Sequence, residues 1–184
     1  MPNPLEAIFN MLRITFDNTN EPKSSLHVVE VGDMWTYLAL VEEFIRYEEI
    51  GLNTTSDDEV KEMLTDVVKI CESQVKRLST FMRKEGIPLP DVTSAKPHSA
   101  PNDIPLGVKL TDDEITNGVA FKLVTCSTAC AKGQADSVRN DAGNMWTEFF
   151  LEWTLFGATL KTLMRKRGWL KVPPYYYAPG APKR

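Results

Sequence analysis

Five prolines fall within the twenty-four residues from Ile87 to Leu110, at positions 88, 90, 97, 101 and 105. No other feature of the chain limits its fold as much. Proline lacks a backbone N–H and clashes with the preceding helical turn, so this stretch cannot be helix. On each side lie two helical segments joined by a short connection, spanning about 27–50 and 56–85, then 112–138 and 141–167. A connection as long as 87–110, extended at about 3.3 Å per residue, can run the length of a bundle and start the third helix from the far end. The expected architecture is all-α: two helical hairpins joined by a long crossover, with helices running up, down, down, up. An up-down bundle with a large lid loop is the alternative topology.

Helix ends support this division. The first helix starts at His27 and is expected to stop at Gly51, which tolerates the left-handed conformation of a helix terminus. The second opens with Ser56-Asp57-Asp58-Glu59, where Ser56 can cap a free N–H and Glu59 can reach back. It closes with Arg83-Lys84-Glu85-Gly86, cations near the negative end of the dipole followed by glycine. The third opens with Thr111-Asp112-Asp113-Glu114, and the fourth closes with Arg165-Lys166-Arg167-Gly168.

Apolar residues at spacings of three and four give each helix a buried line. In the second it is Val60, Leu64, Val67, Cys71, Val75, Leu78 and Met82. In the third it is Ile115, Val119, Leu123, Cys126, Cys130 and Gly133, with Gly118, Ser127 and Ala129 beside it. In the fourth it is Trp146, Phe149, Trp153, Phe156, Leu160 and Leu163. Aromatic knobs on one helix and a small-residue surface on another are the volume complementarity that close packing requires.

A chain of 184 residues is expected to form a single domain, 1–184. Leu5, Ile8, Phe9, Leu12 and Phe16 suggest a short N-terminal helix, broken by too many polar residues to resemble a secretion signal. After Gly168 an extended tail, 169–184, carries Trp169, Tyr175, Tyr176, Tyr177 and prolines; it either packs back over the bundle or presents its tyrosines to a partner. Leu78–Gly86 echoes Leu160–Gly168, which reads either as a duplicated hairpin or as two amphipathic helices that end alike.

Net charge of −4 supplies no general attraction to phosphate or anionic lipid, so neither nucleic acid nor membrane is expected as a partner. Three cysteines suit buried thiols rather than a disulfide framework. With no secretion signal, the sequence by itself is expected to belong to the cytoplasm.

Glu30-Val31-Gly32-Asp33-Met34-Trp35, Leu110-Thr111-Asp112-Asp113-Glu114-Ile115 and especially the run from Met164 to Tyr177, with Gly168-Trp169-Leu170 and Pro173-Pro174, resemble a ferritin-like family of unknown function from spore-forming bacilli (domain of unknown function 3231), whose members often carry spore-coat labels. The resemblance covers residues 25–182 in one copy. It implies the ferritin-like four-helix bundle and a setting among spore-surface proteins, and it transfers no catalytic residue.

Ferritin-like bundles hold two metals through a carboxylate on each of two helices and Glu-x-x-His on the other two. Here the third neighbours of Glu72, Glu148 and Glu152 are Val75, Leu151 and Leu155, and the two histidines, His27 at a helix start and His98 in the crossover, are not placed to replace them. Glu42, Glu43, Glu72, Glu148 and Glu152 leave open a carboxylate-only site, against the plainer reading of solvated faces. Cys126 and Cys130, one turn apart, lack the further ligands of a zinc site and read as buried thiols. Trp35, Trp146 and Trp153 read as core or as the lining of a ligand cavity. The sequence therefore assigns no catalytic, cofactor-binding or metal residue and no cofactor. It favours a non-catalytic structural or interaction protein over a degenerate ferritin-like metalloenzyme or a small-molecule-binding bundle. Phe150, Leu151, Trp153, Leu155 and Phe156 wrap most of the fourth helix and, with Phe44 on the first, need cover from the N-terminal helix, the crossover, the tail or a second copy; a homodimer is expected.

Overall fold

The computed structural model describes residues 23–177 and Pro179. The expected N-terminal helix falls outside them. Four long helices make up the regular structure: α1 (Val28–Thr54), α2 (Asp58–Lys84), α3 (Asp112–Asp136) and α4 (Asn140–Arg167), with one 3-10 turn at Pro101–Asp103. No strand occurs among the described residues, and none of their helices is long and apolar enough to cross a membrane.

Contacts along the crossover give the topology. Leaving α2, the chain meets α1 through Thr93 to Glu43, the Lys96 N–H to Glu49, and Asn53 to the Pro97 carbonyl and Ser99 N–H. It thus travels along α1 from that helix's middle to its C-terminal end. There Thr55 donates to Asp112, at the start of α3, over 2.6 Å. At the opposite end Lys132 on α3 bonds Asp33 on α1, while Arg139, before α4, bonds Glu85, after α2. Helices α2 and α3 therefore run the same way, and α1 and α4 oppose them. This is the up, down, down, up order of a ferritin-like bundle.

The caps follow the sequence with two corrections. Thr111 and Glu114 form the reciprocal box at the start of α3, and Gly86 and Gly168 end α2 and α4 at φ 73° and 72°. Both glycine ends close alike: Ile87 N–H reaches the Met82 carbonyl and Trp169 N–H reaches that of Met164, each at 2.9 Å. The cap of α2, however, is Asp57, whose carboxylate accepts from the Glu59 and Val60 amides. An ionised oxygen outcompetes the Ser56 hydroxyl for those donors. Helix α1 does not stop at Gly51 but continues to Thr54. Gly51 is buried there, and a Cβ on it would stand 3.0 Å from Leu64, so the glycine serves close packing against α2 and α3.

Tight helix approach recurs where small residues meet large ones. A Cβ at Gly133 would lie 2.5 Å from the Trp146 ring, and one at Gly118 would collide with Tyr47. Tyr37, Trp146 and Phe149 interlock by edge and stacked contacts at 5.0 to 6.0 Å. Trp35, by contrast, is 44% exposed and lines no interior.

Candidate functional site

The interior departs from the expected stripes at polar positions. On α2, Gln74 is buried and Val75 only partly; on α3, Lys122 is buried and Leu123 only partly. A step of three or of four from the preceding buried residue reaches either neighbour, and in both helices the polar one faces inward. Cys71 and Gln74 thus share the inward line of α2 at a spacing of three, with Glu72 beside them exposed.

Lys122 lies at the middle of α3 with its side chain wholly inaccessible. Its ammonium pairs with Glu48 of α1, equally inaccessible, and approaches Cys71 Sγ of α2 at 2.9 Å. The rings of Phe44 and of Trp153, on α4, lie 5.4 and 5.3 Å from Nζ. Cation–π attraction therefore supplements a single carboxylate. Burial pushes the Glu48 carboxyl up, and the Lys122 charge opposes that rise. Among the described residues no donor reaches Glu48 Oε2.

A second polar chain runs from core to surface. Tyr37 donates to Gln74 Oε1 at 2.6 Å, and Trp153 Nε1 donates to the Tyr37 oxygen at 2.8 Å. Gln74 Nε2 donates to Glu152, which Arg77 grips through both oxygens at 2.6 and 2.7 Å. Arg77 also reaches Glu148 at 3.3 Å and lies over the Phe149 ring. Burial raises Tyr37 far above the ordinary phenol range, and it pushes the Cys71 and Cys130 thiols up to about 12 and Cys126 higher still. These groups stay protonated near neutrality, so none is poised as a nucleophile.

The carboxylates singled out in the sequence do not converge. Glu43 faces the crossover, Glu72 faces outward, Glu42 is half-buried on α1, and Glu148 and Glu152 serve Arg77. His27 caps α1 through Nδ1 and His98 is exposed in the crossover. Cys126 and Cys130 are buried free thiols. Sequence reasoning missed Glu48, Gln74 and Lys122. One signal was available for Lys122: it is the only charged residue between Ile115 and Ala131.

The donor set does not fit the two-metal centre of ferritin-like bundles. Where carboxylates and imidazoles would converge, the central carboxylate already holds an ammonium, flanked by protonated thiols and an indole. Among the described residues no group of three or more His, Cys, Asp or Glu is placed to share a metal ion. Outside the core, an open groove of about 1110 Å³ separates α2 from α4, lined by Met63, Ile70, Leu155 and Phe156 among charged rims.

Comparison with known proteins agrees with this fold. In sequence the chain is 27% identical over 157 residues to the uncharacterized protein YvdQ of Bacillus subtilis (strain 168), covering 85% of this chain and 92% of that one. The crystal structure of a "putative spore coat protein", BH2358 of Bacillus halodurans C-125, superposes with a TM-score of 0.81 at 26% identity, over 84% of this chain and 98% of that one. A two-domain protein of Anabaena variabilis ATCC 29413, with DJ-1/ThiJ/PfpI-like and ferritin-like domains, matches at TM-score 0.61 and 16% identity, over 83% of this chain and 41% of that one, which shows a shared fold. The profile of one family, described as protein of unknown function (DUF3231), matches residues 15–181, and the chain belongs to that family.

Proposed function

We propose that the protein is a non-catalytic structural or interaction component of a sporulating bacterium, associated with the spore coat. The observation that carries the first half is Lys122. A buried lysine paired with Glu48 and packed between aromatic rings occupies the bundle centre, where a ferritin-like metal site would need free carboxylates. The thiols and phenol around it are held in their protonated forms, and Tyr37, Trp146 and Phe149 pack against one another. The second half is supported by the likeness to the Bacillus halodurans protein, 26% identical over nearly its whole length, whose printed name refers to the spore coat.

Two measurements test the reading. Coat extracts of purified spores from the source organism, blotted for this chain, are expected to contain it, and its confinement to vegetative cells overturns the spore assignment. Protein purified after growth in iron and manganese is expected to carry no stoichiometric metal. Metal bound near one equivalent and lost in Glu48→Gln or Glu152→Gln would establish a metalloprotein instead.

A further inference from the structure

We propose that the outward edge of α4 is a docking seam through which two copies of this chain pair antiparallel about a two-fold axis. The inference is independent of the spore-coat reading. Its starting point is an imbalance of surface charge. The exposed side of α2 alternates Glu62, Asp66, Lys69, Glu72 and Lys76, and the crossover lies along α1. From Phe149 to Leu160, in contrast, α4 carries one charged residue, Glu152, and that one is held by Arg77. Leu151 and Leu155 on this stretch are 48% and 71% exposed.

The outward residues are also in register for pairing. Glu148, Leu151, Leu155, Ala158, Thr162 and Arg165 are all exposed and follow one another at steps of three, four, three, four and three. That is the 3.5-residue repeat of a coiled-coil seam, on the exposed side of α4, with Leu155, Ala158 and Thr162 also bordering the groove towards α2. With two such seams antiparallel about an axis between Leu155 and Ala158, Leu155 meets the partner's Ala158 and Leu151 meets the partner's Thr162. Glu148 then meets the partner's Arg165. Large faces small in the middle layers, and acid faces base at both ends of the seam. A parallel arrangement would set Glu148 on Glu148 and Arg165 on Arg165, so charge selects the antiparallel pair. Glu148 keeps 55% of its side chain exposed beside its contact with Arg77, which leaves it able to meet a second guanidinium. An isologous contact of this kind closes at two copies.

Sedimentation equilibrium of the full chain tests the seam. A dimer is expected for the native sequence, and a monomer of unchanged helix content and urea midpoint for Leu155→Asp. Glu148→Arg and Arg165→Glu, each placing like charges at both ends of the seam, should weaken the dimer by about tenfold or more. The double variant, which swaps the charges, should regain most of that loss. A full chain that stays monomeric overturns the proposal. So does a dimer indifferent to Leu155→Asp, or a double variant no tighter than the singles.

Discussion

Helix α1 buries two glutamates, Glu30 and Glu48, five helical turns apart on the same face, and treats them differently. Glu30 accepts from three backbone amides: its own cap residue His27 at 2.7 Å, and Val138 and Arg139 of the α3–α4 connection at 2.9 and 3.0 Å. Beside it Arg139 forks onto Glu85 and Asp141 and reaches the Ser24 carbonyl. One carboxylate thereby fastens the start of α1 to the turn of the second hairpin. Glu48 meets one side chain, Lys122, itself supplied by a helix that joins only after the crossover. A carboxylate satisfied by backbone amides is part of the fold's geometry, whereas a carboxylate satisfied by a buried lysine exists for that lysine. Burying such a pair is weak evidence of stabilisation, since desolvation offsets much of its attraction.

The sharpest way to break this contrast is to remove each partner. Glu48→Leu or Lys122→Met alone should cost about 3–5 kcal/mol, because an uncompensated charge stays buried, while the double variant should return to native stability or above it. Urea midpoints of the three proteins decide the matter; a double variant as weak as the singles would show that the pair stabilises in its own right. At the other end, Glu30→Ala should cost about 2–3 kcal/mol by leaving amides unsatisfied. No second side-chain substitution should rescue it, since the orphaned partners are backbone. Arg139→Lys keeps the charge and loses the fork onto two carboxylates, for an expected loss of about 1–2 kcal/mol in the same assay.

The smallest effect is one of pH. Asp141, held by Arg139, sits at about 2 instead of 3.8, and Glu85 is lowered for the same reason. A depressed carboxyl contributes stability above its unfolded value, lost as pH falls from about 4 to 2. Asp141→Asn should therefore flatten that acid limb. Glu48 has the opposite sign: its raised carboxyl takes up a proton in the folded state first, so wild-type stability should gain slightly as pH falls from neutrality towards 4.5. Glu48→Gln should remove the gain and leave the limb below pH 4 intact, which thermal melts across pH 2–7 would reveal.

What the sequence shows well is whatever a single helix decides. Thr111 with Glu114, and Gly86 and Gly168 with the cations before them, are local signals, and the structure uses them as written. The crossover is legible because proline forbids the alternative locally. Gly51 misleads because its reason is tertiary: the side chains of Leu64 and Ile115 need the space a Cβ would take. Lys122 and Gln74 escape for a related cause. Whether a polar residue turns inward depends on partners 74 and 78 residues away, Glu48 for the lysine and Glu152 for the glutamine amide. Hydrophobic periodicity ranks Leu123 and Val75 ahead of them by rule. The tail divides in the same way: Trp169 packs against the core and its carbonyl accepts from Asn117, and Lys171 bonds Asp113, while Tyr175, Tyr176 and Tyr177 stand exposed.

The up, down, down, up order of the helices also fixes where the chain enters and leaves. Lys23, ahead of α1, rests on Asp141 at one pole of the bundle, and Trp169 leaves α4 at the other, beside the first turn of α3. Twenty-eight helical residues at 1.5 Å each separate those poles by about 40 Å. The bundle is therefore a strut with an arginine–carboxylate knot at each pole, Arg139 at one and Arg167 at the other, and an aromatic strip at the second alone. Two struts paired head to tail would show tyrosines at both poles, so that whatever binds the strip could bridge neighbours in a line.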